Sequence, residues 1–67
     1  GYCQDDVKSC KTLKGACEAL ACSVGGMQVI FGHGGDKPTS EAGTKHEARR
    51  CAEQQTGRPV SITGGCD

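Results

Sequence analysis

The stretch DVKSCKTLKGACEALAC, residues 6–22, carries a helical period around which the rest of the chain can be placed. Its apolar side chains recur every three or four residues and form one stripe about 140° wide. The stripe consists of Val7, Cys10, Leu13, Cys17, Leu20 and Ala21. Ser9 and the two aspartates before it offer capping oxygens, and Gly25 and Gly26 end the helix. The stretch predicts an amphipathic helix with two cysteines on its buried face and Cys22 outside that face.

Six cysteines in a chain of 67 residues indicate how so small a core is held together. They are Cys3, Cys10, Cys17, Cys22, Cys51 and Cys66. An even count at this density is typical of disulfide-stapled domains from an oxidising compartment. Zinc is the alternative, but only Cys17 and Cys22 approach the spacing of a structural zinc site. The count therefore predicts three disulfides, no free thiol and no metal.

A second helix is predicted over TKHEARRCAEQQTG, residues 44–57. Thr44 and Glu47 have the spacing of a capping box, and Gly57 is a natural stop. Arg49 and Glu53 are four residues apart and predict an ion pair on the outer face.

The narrow apolar face of this second helix is centred on Cys51. If the two helices lie side by side, their apolar stripes meet, and Cys51 comes opposite the cysteines of the first stripe. The patterns therefore predict a bond from Cys51 to either Cys17 or Cys10, with a slight preference for Cys17.

Alternating or β-branched residues predict strands between and around the helices. These are Tyr2–Gln4, MQVIF at 27–31, a short strand near 39–43, and RPVSIT at 58–63. The order βαββαβ predicts one α+β domain over residues 1–67: a small disulfide-stapled split βαβ (ferredoxin-like) sheet with two helices packed on one face. In a sheet of this order the outermost cysteines meet, so a bridge between Cys3 and Cys66 is expected.

Charge and hydropathy narrow the classes of function. Eight basic and eight acidic residues give a formal net charge of zero, which does not favour nucleic acid as a partner. No apolar run is long enough to span a membrane. Lys8, Lys11 and Lys14 offer weak support for contact with an anionic membrane surface. The opening GYCQDD suggests a mature, secreted, extracellular protein whose leader has been removed.

Element order and cysteine placement together resemble a known family. Two cysteines, Cys10 and Cys17, lie on the first helix, Cys51 lies on the second, and Cys3 and Cys66 lie at the ends. This arrangement resembles the killer-toxin-six-like family of smut-fungus killer toxins and small cysteine-rich fungal effectors. The resemblance implies a secreted, non-enzymatic protein that acts on the cells of another organism, with a four-stranded sheet beside its helices.

The glycine-rich stretch GHGGDKPTSEAG, residues 32–43, is the candidate binding loop. It lacks the spacing of a phosphate-binding P-loop, and no nucleophile elbow accompanies its His-Gly-Gly fragment. Glycines and Pro38 predict a mobile connection, poorly braced because it holds no cysteine. Exposed loops also carry recognition in small proteins, so His33, Asp36 and Lys37 are the candidate binding residues.

Two enzymatic or metal-binding alternatives involve the same region. His33, His46, Glu47 and Arg49 offer an acid, a base and a phosphate clamp for a small nuclease. His33, Asp36 and His46 offer ligands for a metal, although their spacing forms no local pattern. The sequence favours a non-enzymatic effector or toxin-like protein without cofactor, which binds an unknown host or competitor protein or cell-surface component. A small inhibitor of a secreted hydrolase is the alternative, and a small nuclease ranks third.

Overall fold

Two helices form the body of the protein in the computed structural model, which describes residues 10–25, 28–40 and 42–62. Helix α1 spans Leu13–Ser23 and helix α2 spans Ala42–Thr56. A disulfide joins their middles at Cys17 and Cys51, and Arg58, just after α2, donates to the carbonyl of Val24, just after α1. The two helices therefore run in the same direction, and the chain between them must return from the end of α1 to the start of α2.

Helix α1 begins seven residues later than the periodicity predicts. Thr12 is the N-cap, with extended φ and ψ of −129° and 158°, and its hydroxyl accepts from the N–H of Gly15 at 3.1 Å. A Cβ at Gly15 would stand 3.3 Å from that hydroxyl oxygen, so the glycine leaves room for the cap. The predicted start at residue 6 is wrong because Thr12 supplies the capping oxygen and the helix begins only after it.

Both helices end at glycines, as the sequence predicts. Gly25 has φ of 98° and Gly57 has φ of 69°, values that residues with a Cβ rarely adopt. The N–H of Gly57 donates to the carbonyl of Glu53 at 2.8 Å and closes the last turn of α2.

Helix α1 is buried around most of its circumference, not only along the predicted stripe. Its buried residues are Leu13, Ala16, Cys17, Ala19, Leu20 and Ala21. From α2, Ala48 and Ala52 complete the core cluster together with Cys10, and Phe31 and Val60 pack against it. Small side chains fill most of this core, so a few larger ones, above all Leu20, supply much of its apolar burial.

The predicted bond between the two helices is confirmed. Cys17 and Cys51 are joined, with their Cα atoms 5.8 Å apart. Cys10 and Cys22 are also disulfide-bonded, so none of the four cysteines in the described ranges is free. Cys3 and Cys66 lie outside the described residues, and so does the bridge expected between them.

The predicted α+β split βαβ sheet is wrong, because residues 10–25, 28–40 and 42–62 contain two helices and no strand. Residues 28–31 have no regular secondary structure, and neither do residues 59–61. Residues 39 and 40 form a turn rather than a strand. One isolated antiparallel bridge, between Thr12 and Pro38, is the only β-type pairing in this part of the chain. The predicted strand Tyr2–Gln4 lies outside the described residues.

Side chains of α2 take the hydrogen bonds that a neighbouring strand would make. The side-chain amide of Gln55 accepts from the N–H of Ile30 at 3.4 Å and donates to its carbonyl at 3.0 Å. A carboxylate oxygen of Glu53 accepts from the N–H of Val60 at 3.2 Å. Each of the two predicted strands thus bonds to side chains of α2 and not to the other strand. The inward residues of both segments still pack on the core.

The start of α2 also differs from its predicted capping box. The helix begins at Ala42, so Thr44 lies inside the first turn and is fully buried. Glu47 pairs with Lys37 instead of reaching back to the helix start. Among the described residues, the predicted ion pair between Arg49 and Glu53 is not formed, and the carboxylate of Glu53 accepts from the N–H of Val60.

Two buried threonines are expected to respond in opposite directions to replacement by valine. The hydroxyl of Thr44 is buried without a hydrogen-bond partner among the described residues, whereas that of Thr39 donates to the buried carbonyl of Cys10. Thr44→Val should therefore raise stability by about 1 kcal/mol, and Thr39→Val should lower it by about 1–2 kcal/mol. Thermal unfolding followed by circular dichroism measures both, at about 4–8 °C per kcal/mol. A destabilised Thr44→Val variant would contradict the burial of an unpaired hydroxyl.

Candidate functional site

The candidate binding loop is fixed to the start of α1 by backbone hydrogen bonds. The carbonyl of Lys37 accepts from the N–H of Leu13 at 2.8 Å, and the carbonyl of Gly35 accepts from the N–H of Lys14 at 2.9 Å. The carbonyl of Gly34, a residue with φ of 87°, accepts from the N–H of Lys37 and closes the turn that contains both anchoring carbonyls. The prediction of a poorly braced loop is wrong for this segment.

These bonds also decide what the start of α1 can bind. The first N–H groups of a helix have no partner within the helix and make it an anion site when they are left open. Here Lys37 and Gly35 occupy the first two, and the hydroxyl of Thr12 occupies the third. The glycine-rich loop therefore closes this helix end and does not cradle a phosphate there.

A second anchor runs from the loop to α2. The ammonium group of Lys37 lies 3.0 Å from a carboxylate oxygen of Glu47, with both side chains partly exposed. An exposed pair of this kind adds at most about 1 kcal/mol, but it orients the long Lys37 side chain along α2. His33 and Asp36 are exposed in the turn next to it. The three candidate binding residues thus share one braced, solvent-facing turn.

The residues of the nuclease alternative make no hydrogen bond or ion pair with one another. His33 lies in the loop turn, His46 is exposed on α2, and Glu47 binds Lys37. Arg49 is half-buried, and its buried Nε atom has no hydrogen-bond partner in residues 10–25, 28–40 and 42–62. Among the described residues, no group of three or more His, Cys, Asp or Glu side chains is arranged to hold a metal ion.

A shallow cleft of about 220 Å³ lies where the two helices end. It is lined by Val24, Gly25, Gln28, Gln55, Thr56 and Arg58. The guanidinium of Arg58 donates from Nη1 to the carbonyl of Val24 at 2.9 Å. A cation suits this position because both helices direct the negative ends of their dipoles towards it. Arg58 thus joins the two helix ends and forms one wall of the cleft.

Beside the cleft, one apolar side chain faces solvent. Ile30 is 87% exposed and is the one large hydrophobic residue so exposed within the described ranges. The side-chain amide of Gln55, which also lines the cleft, hydrogen-bonds to both the N–H and the carbonyl of Ile30. Val29 and Phe31, on either side of it, are partly buried against the core. The side chain of Ile30 is therefore held outward by a fixed backbone.

Sequence reasoning missed the roles of Gln55, Arg58 and Thr39. Arg58 gave a recognisable signal, since a basic residue directly after a helix-ending glycine favours the helix dipole. Gln55 and Thr39 gave none, because their partners lie 25 and 29 residues away.

Comparisons with known proteins give no relative for this chain. No protein-family model, no curated protein and no solved structure matches it. Within the described residues, no helix has both the length and the apolar character needed to cross a membrane. Lys11 and Lys14 are exposed near the loop, while Lys8 lies outside the described residues.

Proposed function

We propose that the protein is a secreted, effector- or toxin-like binding protein that acts on a host or competitor cell without catalysis. The braced turn carrying His33, Asp36 and Lys37 is the observation that supports this proposal. The backbone of the turn is hydrogen-bonded to the start of α1, and the side chain of Lys37 forms an ion pair with Glu47 of α2. A recognition loop that is ordered before binding loses less conformational entropy on binding.

The disulfide framework supports an extracellular location for such a protein. Each cysteine in the described part of the chain is oxidised, and one bond links the two helices directly. Such bonds persist outside the cell and are rare in reducing compartments. The resemblance to killer-toxin-six-like proteins, based on cysteine placement, favours the same setting.

The anchored loop also favours the second candidate, a small inhibitor of a secreted hydrolase. Inhibitors of this kind present one rigid loop to the enzyme, and interface backbones in such complexes move little on binding. The two anchors give residues 33–37 that rigidity without a cysteine of their own. A panel of secreted proteases and glycosidases, assayed with and without the oxidised protein, separates inhibition from cell binding.

Binding to intact cells tests the leading proposal. Fluorescein-labelled oxidised protein is titrated onto yeast cells and plant protoplasts, with reduced and alkylated protein as the blank. A His33→Ala/Asp36→Ala variant should bind at least about tenfold more weakly, because alanine truncation at a binding centre removes its main contacts. Both side chains are exposed, so the fold should be unchanged.

The matched control is His46→Ala/Gln54→Ala, two exposed residues on the outer face of α2. This variant should bind as the parent does. Equal binding by all three proteins would contradict the loop as the recognition surface. Loss of a measurable nuclease or hydrolase activity in a histidine variant would contradict the non-enzymatic proposal.

A further inference from the structure

We propose that the segment Gln28–Gly32, with the sequence QVIFG, is a self-complementary edge through which two copies of the chain pair as antiparallel strands. The inference goes beyond the proposed function and does not depend on it. Exposure alternates along the segment: Gln28 and Ile30 face solvent, and Val29 and Phe31 are partly buried. This period of two is that of an extended chain.

One edge of the segment is already occupied. In an extended chain, the N–H and C=O of one residue point to the same edge, and those of its neighbours point to the opposite edge. The amide of Gln55 takes both polar groups of Ile30. The backbone groups of Val29 and Phe31 therefore point away from Gln55.

That second edge has no partner in the part of the chain that the structure describes. No hydrogen bond is made by the backbone of Val29 or Phe31 to any described residue. Proteins usually protect such edges with charged residues, proline or covering elements. The stretch QVIFG contains no charged residue and no proline.

The pattern of the segment selects a second copy as the occupant. With a two-fold axis at Ile30, Val29 of one copy lies opposite Phe31 of the other, and these residues exchange backbone hydrogen bonds. Ile30 then lies opposite Ile30 as a non-hydrogen-bonded pair, in which Cα atoms are about 4.5 Å apart and side chains are closest. The exposed isoleucine is buried by its own copy.

Two further observations agree with this register. Gln28 falls opposite Gly32, and space around Gly32 is open, since a Cβ there would meet no atom within 4 Å. The formal net charge of the chain is zero, so two copies do not repel each other at long range.

The area available indicates a weak, reversible dimer. A stable interface buries about 800 Å² on each partner, about a fifth of the 4166 Å² that this chain exposes. A five-residue edge supplies less than that. We therefore expect monomers at about 10 μM chain and dimers at about 1 mM.

Sedimentation equilibrium across this concentration range tests the proposal with charge variants. Ile30→Glu places two carboxylates directly opposite each other and should raise the dimer dissociation constant at least about tenfold. Gln28→Glu is the matched control, because it adds the same charge on the same face but lies opposite a glycine. It should dimerise like the parent. A parent that stays monomeric at about 1 mM would overturn the proposal and leave the edge to a strand of another protein.

A mixture of variants distinguishes pairing from misfolding. Ile30→Glu and Ile30→Lys should each be monomeric alone and should form a heterodimer when mixed, because the opposite charges then face each other. Amide exchange gives the register: protection of Val29 and Phe31 should rise with concentration while that of Ile30 does not. No heterodimer in the mixture, or protection that rises at Ile30 alone, would refute this edge.

Discussion

Replacing both Cys17 and Cys51 by alanine is expected to unfold the protein or to lower its melting temperature by more than about 10 °C. The bond closes a loop of sequence separation 34, for which the chain-entropy model assigns roughly 4 kcal/mol. Domains of this size have a net stability of only a few kcal/mol, so the loss is comparable with the whole. Thermal unfolding followed by circular dichroism, with the other cysteines kept oxidised, measures it.

A matched control removes a different link, the ion pair between the loop and α2. The Lys37→Met/Glu47→Gln variant abolishes an exposed ion pair and should change stability by less than about 1 kcal/mol. If the cysteine variant melted like the parent, the disulfide would not be what holds the two helices side by side.

Leu20→Ala is expected to lower the free energy of unfolding by about 3 kcal/mol. Among the stability effects predicted for this chain, only loss of the Cys17–Cys51 bond is larger. Leu20 is among the largest fully buried side chains, in a core whose other members are Leu13, alanines and cysteines. Truncation of a buried leucine removes its transfer free energy and leaves a cavity, at a cost of about 2–5 kcal/mol. The helices are held by the disulfide, so the core cannot close easily over the lost volume.

Ile30→Ala provides the comparison for Leu20→Ala. It also truncates a large aliphatic side chain, but one that is 87% exposed. At concentrations where the chain is monomeric, its stability should change by less than about 0.5 kcal/mol. Denaturant unfolding of both variants checks this, and equal losses of stability at the two positions would contradict the burial of Leu20 and the exposure of Ile30.

The helical part of the fold was predictable because its signals are local. Apolar spacing located both helices, Gly25 and Gly57 ended them, and the central position of Cys51 limited its partner to Cys17 or Cys10. The starts of the helices were less predictable. Thr12 competes with Ser9 for the same capping role, and the choice depends on loop carbonyls that arrive from residues 35 and 37.

The sheet was not predictable because the same residues satisfy two arrangements. Val29 and Phe31 face inward both in a strand and in the observed segment, so the hydrophobic pattern does not distinguish them. What decides is the partner of the backbone of Ile30, and a glutamine 25 residues away takes that place. Nothing in the local sequence identifies such a side chain.

The candidate site was predictable in part. Glycines and polar residues located an exposed turn at His33, Asp36 and Lys37. The anchors that hold the turn depend on contacts with both helices, and the cleft beside Arg58 exists only because the two helices end together. Features that arise from two distant segments leave little trace in either one.

Because loop carbonyls cap α1, the formation of this helix depends on a distant part of the chain. An isolated helix of 11 residues is marginal in water. The first two N–H groups of α1 donate to carbonyls of residues more than twenty positions later in the sequence. Helix α1 should therefore become stable only when the return segment and α2 are in place. In native-state hydrogen exchange, the amides of Leu13 and Lys14 should open only with global unfolding, like the centre of the core and unlike an ordinary fraying helix end.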